Sequence, residues 1–413
     1  MTSKRVIIRA LDINGWSRDN MTIDHRNLSR INNRKLVLQQ LFNNQETSRA
    51  EIARQLKLNK STVSSIYTEL DDAGLIQEVR QGESTSSGGR KPNLVRLNPN
   101  YGFVASFNIG TAYMASMFNY INGEIIRYNR QPIERFDILT IMQMIKKEIQ
   151  QMQEFDQTNR GLLAIAFSIH GIVYNNKVLD SPFLDLDGID LQGYFEKEFG
   201  VPVVLENEAN LSAVFENDFC VADNIRGLIT ISIHRGIGVG VIANGQLYRG
   251  NRGMAGEIGR TLMIDRFATG SKKLVKMESL CSEDAIIGQV KAVKGIDKIS
   301  SAELVRLYHY DSQVLQIFDH AAELIAEASY NAIVSFGPQE VYFNSTLFED
   351  IPELYEQIRT KLVEMGAFSP IKKIVGSRMT SLLGASSLAI HRALQLDHYQ
   401  LRLRWPNEVK NVE

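Results

Sequence analysis

Cysteine is almost missing from these 413 residues: only Cys220 and Cys281 occur, far apart and outside any metal-ligand spacing. That excludes a disulfide framework and a cysteine-built zinc site. Any apolar run long enough to span a bilayer is missing too. The opening stretch "MTSKRVIIRALDINGWSRDN" has no continuous apolar core behind its charges, so it does not read as a secretory leader. Collagen-like or disordered bias is absent, with 44% hydrophobic and 23% charged residues. What remains is a cytoplasmic, globular chain, too long for one core and expected to hold two or three domains. Residues 1–28 read as a flexible N-terminal extension.

The overall charge of -1 hides an asymmetry: residues 1–100 carry 16 Lys+Arg against 10 Asp+Glu, and the rest of the chain is acidic. A basic front on an acidic body points to a polyanion partner for the front alone. Within it, residues 29–98 form one pattern. "NRKLVLQQLFNN" has helical apolar spacing, and "TSRAEIARQLKLN" opens with Thr47 or Ser48 as cap and Glu51 in a capping-box position. A third helix is expected from about Lys60 to Ala73, stopped by Gly74. "LIQEVR" and "LVRLN" read as strands around the turn-rich tip "QGESTSSGGRKPN". Three helices and a hairpin are the layout of a winged helix-turn-helix.

In that layout the first turn of the third helix enters the major groove and needs short polar side chains at base edges, with phosphate donors beside them. Lys60, Ser61, Thr62, Ser64 and Ser65 supply these, with Tyr67 on the same side and Ser48 at the start of the preceding helix. Val63, Ile66 and Leu70 are spaced to face the core. A solvated, well-capped helix would look similar. The wing separates the two readings, because "GGRKPN" sets Arg90 and Lys91 on a glycine hinge suited to a minor groove. Helix, wing and local charge together specify a binder of double-stranded operator DNA.

Residues 99–413 change texture to short aliphatic runs alternating with helical segments, an α/β core of two lobes around a cleft. "LENEANLSAVFE" puts Asn207, Glu208 and Asn210 at a strand-to-helix corner; "RGNRGMAGEIGR" sets Glu257 in a glycine-rich loop with Arg260 three residues on; Glu278 opens a further helix. These segments, with "LNKSTVSSIYTEL", "SSGGRKP", "GIGVGVIANGQLYRGNRGMAGEIG", "MES" and "LLGASSLAI", resemble the ROK family (repressors, open reading frames and sugar kinases) over roughly residues 30 to 395. The wording of "LNKSTVSS" and "ENEAN" is most similar to its xylose-responsive repressors.

The resemblance implies a winged helix-turn-helix domain followed by an α/β two-lobed actin-like ATPase (ROK/sugar-kinase) fold. It also implies homodimers or homotetramers on palindromic operators, and a sugar or sugar derivative as effector. By motif position Asn207, Glu208, Glu257 and Glu278 would meet sugar hydroxyls. Gly171 stands at the family's Pro-Gly turn, with His170 in place of the proline.

Departures from the family pattern bear on activity. Where its kinases carry a basic aspartate, Glu208 stands, and a longer carboxylate still accepts a proton. "FNIGTAY" offers Asn108 where a phosphate loop has an acid, and His234-Arg235-Gly236 replaces a Gly-Thr-Gly turn. Phosphoryl transfer depends on positioned charge and Mg²⁺, so neither catalytic residues nor a cofactor are expected. Arg260 replaces a zinc-ligating histidine and the run "DRFATGSKKLVKM" before Glu278 holds no cysteine, so no metal site is expected either. Arg260 would bind an acidic or phosphorylated sugar, or pair with Glu257 or Glu278 and close an empty pocket. The sequence therefore leads to a repressor of a carbohydrate operon. Beside it stand a ligand-independent DNA-binding regulator with a decayed pocket and a kinase with an appended DNA-binding module.

Overall fold

The computed structural model describes residues 25–82, 91–110, 113–133, 135, 137–220, 224–266 and 273–404. The chain divides into two units, residues 1–97 and 98–413. The first helix begins at His25, inside the stretch read as an extension.

The first unit holds helices α1 (His25–Asn43), α2 (Arg49–Leu56) and α3 (Lys60–Asp72), then strands β1 (Ile76–Gln81) and β2 (Asn93–Leu97). Leu38, Leu41, Ile52, Val63, Leu70 and Val95 are buried between them. Ser48 caps α2 by accepting from the Glu51 N–H at 3.2 Å. The Glu51 carboxylate accepts from Arg54 and Gln55 rather than turning back, so only half of the expected capping box forms. Lys57 adopts φ 53 to end α2, and Gly74, at φ 76, follows α3. The two strands pair antiparallel as the wing.

In the second unit the same topology is built twice. One five-stranded sheet runs, edge to edge, Ile125–Pro132, Tyr113–Tyr120, Phe103–Ile109, Leu162–Ile169, Val203–Asn207. The other runs Gln246–Leu247, Ile237–Ala243, Leu228–Ile233, Glu340–Asn344, Ile371–Lys373. In each, the first three strands of the chain form an antiparallel meander and the next two add parallel to the first. Tight turns serve the meander and helical crossovers serve the parallel strands, as strand geometry demands.

Each sheet's last strand leads to a helix that packs on the other sheet. Glu208–Phe215 lies against Leu228–Ile233 and Ile237–Ala243, and Ser377–Leu394 lies against Phe103–Ile109 and Leu162–Ile169. The exchange joins the lobes through a common core, and small residues let the backbones approach. A Cβ on Gly384 would stand 2.0 Å from the Leu211 carbonyl oxygen, and one on Gly240 2.2 Å from that of Ala209. Buried hydroxyls are tied across the same seam: Ser386 Oγ donates to Asn119 Oδ1 at 2.7 Å and lies 2.9 Å from Ser106 Oγ. Among the described residues no helix is long and apolar enough to cross a membrane.

Candidate DNA-binding face and interlobe effector site

Helix α3 buries Val63, Ile66, Tyr67 and Leu70 on one side. That turns Lys60, Ser61 and Ser65 outward, with Thr62 and Ser64 half-buried at the margin. Asn59 occupies the N-cap position without a side-chain cap bond, so the first turn keeps its N–H groups for an outside acceptor such as phosphate. Ser61, Thr62 and Ser65 share a concave surface with Ser29, Arg30 and Asn33 of α1.

Two residues expected on this face belong to the scaffold instead. Ser48 is buried and spends its hydroxyl on the α2 cap. Tyr67 is 5% exposed; its OH donates to Glu78 Oε1 at 3.1 Å, and the Arg49 guanidinium lies 4.5 Å over its ring. Burial, aided by Glu78, pushes the Tyr67 phenol up to about 12. The cause is helical phase: Tyr67 follows Val63 by one turn and precedes Leu70, so it faces the core side. Lys91 is exposed just before β2, and Arg90 lies outside the described residues.

The lobes of the second unit enclose a cleft of about 400 Å³, lined by residues including Asn108, Gly110, His170, Glu208, His234 and Arg235. At one corner Asn108 donates to Ser381 Oγ at 2.9 Å, and its Oδ1 lies 3.2 Å from His170 Nε2. Burial, with His234 and Arg235 nearby, pushes His170 down to about 3, so its neutral ring donates there. The Gly110 N–H, which a phosphate loop would present to its ligand, donates to the Tyr113 carbonyl at 2.9 Å. The Tyr113 ring lies so close to Gly110 that a Cβ there would be 2.4 Å away, and the Arg130 guanidinium lies 3.9 Å over that ring.

The facing corner is also occupied. His234 lies between two carboxylates, Nε2 at 3.5 Å from Glu208 and Nδ1 at 3.5 Å from Glu283. Burial opposes its charge, but Glu208 and Glu283 outweigh that and raise the imidazole to about 9. Burial raises the Glu208 carboxyl against the pull of His234. Geometry favours the imidazolium, since two carboxylates share one ring. Arg235 stacks 3.9 Å over Phe183.

Beside the cleft is a second cluster. Asn207 is spent on structure: its Oδ1 accepts from the Ala209 and Asn210 N–H groups and its Nδ2 donates to the Gly171 carbonyl at 2.6 Å. Gly171 is required by packing, since a Cβ would stand 2.1 Å from the Asp180 carbonyl oxygen. Asp180 in turn accepts from Arg260, whose Nε lies 2.9 Å from Glu257. Of the roles open to Arg260, the structure has the ion pair, with Asp180 as an added partner. Burial raises Glu257 while Arg260 pulls it back. Glu278 Oε2 fills the space left by Gly236 and Gly259, 3.0 Å from where either Cβ would be. Glu257, Arg260 and Glu278 thus gather in one cluster, with Glu208 and His170 on the adjoining cleft wall. Asp180, Glu283 and Tyr113 were not legible beforehand, because no spacing in the sequence marks their positions.

Architecture and site together define a winged helix-turn-helix module joined to a two-lobed body of the sugar-kinase type. The chain belongs to the ROK family, whose profile matches residues 104–392, and residues 32–77 match a winged helix-turn-helix DNA-binding profile. It is 38% identical to the xylose repressor of Lactiplantibacillus pentosus over 92% of this chain and 99% of that protein. It is 34% identical to the xylose repressor of Staphylococcus xylosus over 90% and 98%. Among solved structures, a ROK family transcriptional regulator, a homologue of the E. coli Mlc protein, superposes with a TM-score of 0.73 at 20% identity, covering 89% of this chain and 98% of that one. A ROK glucokinase from Streptomyces griseus with glucose and AMPPNP gives 0.59 at 20%, covering 70% and 99%. These two likenesses show the fold alone.

Proposed function

We propose that the protein represses a carbohydrate-utilisation operon, of the xylose type, by holding operator DNA with α3 and the wing, and that a sugar in the Glu208–Glu257–Glu278 region releases it. The observation that carries this is full-length similarity, through both units, to proteins named xylose repressors. Outward placement of Lys60, Ser61 and Ser65 supports direct base and phosphate contact. Twofold operators call for paired modules, so the working form is a homodimer or homotetramer in the cytoplasm.

Absence of kinase activity is part of the same proposal. It is supported by Asn108 in place of an acid, by Tyr113 over the Gly110 turn and by His234 at the second phosphate corner. A ligand-independent regulator is the second reading, favoured by the way Arg260 already satisfies Glu257 and Asp180.

Thermal melting against millimolar xylose, glucose, N-acetylglucosamine, fructose and their phosphates separates the two. A ligand of the native state raises the midpoint by mass action. Stabilisation by one free sugar, with loss of operator binding at the same concentration, is expected. No shift with any of them leaves the ligand-independent regulator.

A further inference from the structure

Buried carboxylates that receive sugar hydroxyls must stay ionised, which costs free energy unless a cation stands close. Glu208 has this problem: it is 8% exposed, on the first turn of the Glu208–Phe215 helix. Its cation comes from the turn between Leu228–Ile233 and Ile237–Ala243. His234 is fixed there by two backbone bonds, its N–H donating to the Gly236 carbonyl at 3.0 Å and its own carbonyl accepting from the Glu283 N–H at 2.8 Å. Glu283 holds the far side of the ring and accepts from Thr346, which follows the strand Glu340–Asn344. Glu208 is steadied from behind, since Ser212 Oγ lies 3.3 Å from its Oε1 and accepts from Asn344 at 2.9 Å.

We infer that His234 is a positioning residue of the effector site: clamped between Glu208 and Glu283, its imidazolium holds the Glu208 carboxylate ionised and oriented for a hydroxyl of the sugar. This rests on the reading of the Glu208 region as the sugar site. It extends that reading by giving the site an internal cation, held from its far side by Glu283 and, through Glu283, by Thr346. The nucleotide corner of a kinase would thereby be turned to effector binding.

The groups facing His234 set the direction of its pH dependence. Glu208, Glu283 and Glu349 favour the charged ring and burial opposes it; Arg235 and His170 line the same cleft, and His170 is itself neutral. The net effect raises His234 to about 9 from the usual 6.5. The charge is therefore present throughout the neutral range and its contribution is lost as pH rises through about 9.

The test is titration calorimetry of D-xylose into the full chain from pH 6 to pH 10, on wild type, His234→Gln and Glu283→Gln. Wild-type affinity is expected to be flat to about pH 8 and to fall above it. His234→Gln should bind on the order of tenfold to a hundredfold more weakly, with no alkaline fall of its own. Glu283→Gln should keep binding but move the fall to lower pH, which a merely structural contact would not do. His234→Gln with wild-type affinity and the same alkaline fall overturns the role of His234 and leaves the effector reading standing. A folded wild type that binds neither D-xylose nor any other sugar of the melting panel overturns both.

Discussion

The two units handle polar side chains in opposite ways. On α3 Lys60, Ser61 and Ser65 face outward, and the turn before them leaves its N-cap position without a side-chain bond. In the body almost every group assigned to a sugar is already engaged: Asn207 with backbone, Glu208 with His234, Glu257 with Arg260. DNA brings its own rigid array of acceptors, so a reader needs only an exposed, well-oriented surface. A small neutral ligand brings little charge, so its site must hold its own carboxylates in place beforehand. The difference also predicts how each unit fails.

The largest effect is expected in the body, at Gly384. Gly384→Ala would push a methyl group toward a backbone oxygen 2.0 Å away, where neither helix can give. The expected loss is about 3 kcal/mol of unfolding free energy, the upper end of overpacking penalties, read by urea denaturation. A variant as stable as wild type would mean that the lobes meet through a yielding seam, and the contrast with the DNA-binding unit would narrow.

Next comes α3. Ser61→Ala with Thr62→Ala should leave the denaturation midpoint in place and remove about 1–3 kcal/mol of operator preference over unrelated DNA, measured by competition binding. The contrast breaks if stability falls with selectivity, because these side chains would then be holding the fold.

Legibility followed the same division. Every element of the first unit could be read from its own residues: apolar spacing gave three helices, Ser48 and Gly74 marked boundaries, and "LIQEVR" gave a strand. The departures were α1, which starts at His25, Ser48 and Tyr67, which turn inward, and the capping box, which half forms. In the body the aliphatic strands were legible, but the doubled topology and the helix exchange rest on pairings between distant segments that no local pattern encodes. Ile371–Lys373, three residues long, was too short to register. The motif residues of the site could be named in advance, whereas their partners could not: Arg260 meets Asp180 across 80 residues and Glu283 meets Thr346 across 63. Those partners decide whether a carboxylate is open or engaged.

The smallest effect sharpens the comparison from the other side. Lys57 ends α2 at φ 53, a conformation that costs a residue with a side chain roughly 1–2 kcal/mol. Lys57→Gly removes that strain and returns about 0.5–1 kcal/mol of it as unfolded-state entropy. A net gain of about 0.5 kcal/mol is expected in the first unit, with operator affinity unchanged apart from one lost charge. If affinity instead drops by much more than one phosphate contact, the turn itself sets the angle at which α3 meets the groove. The strain at Lys57 would then serve DNA binding, and the first unit would resemble the body in keeping its working geometry under internal constraint.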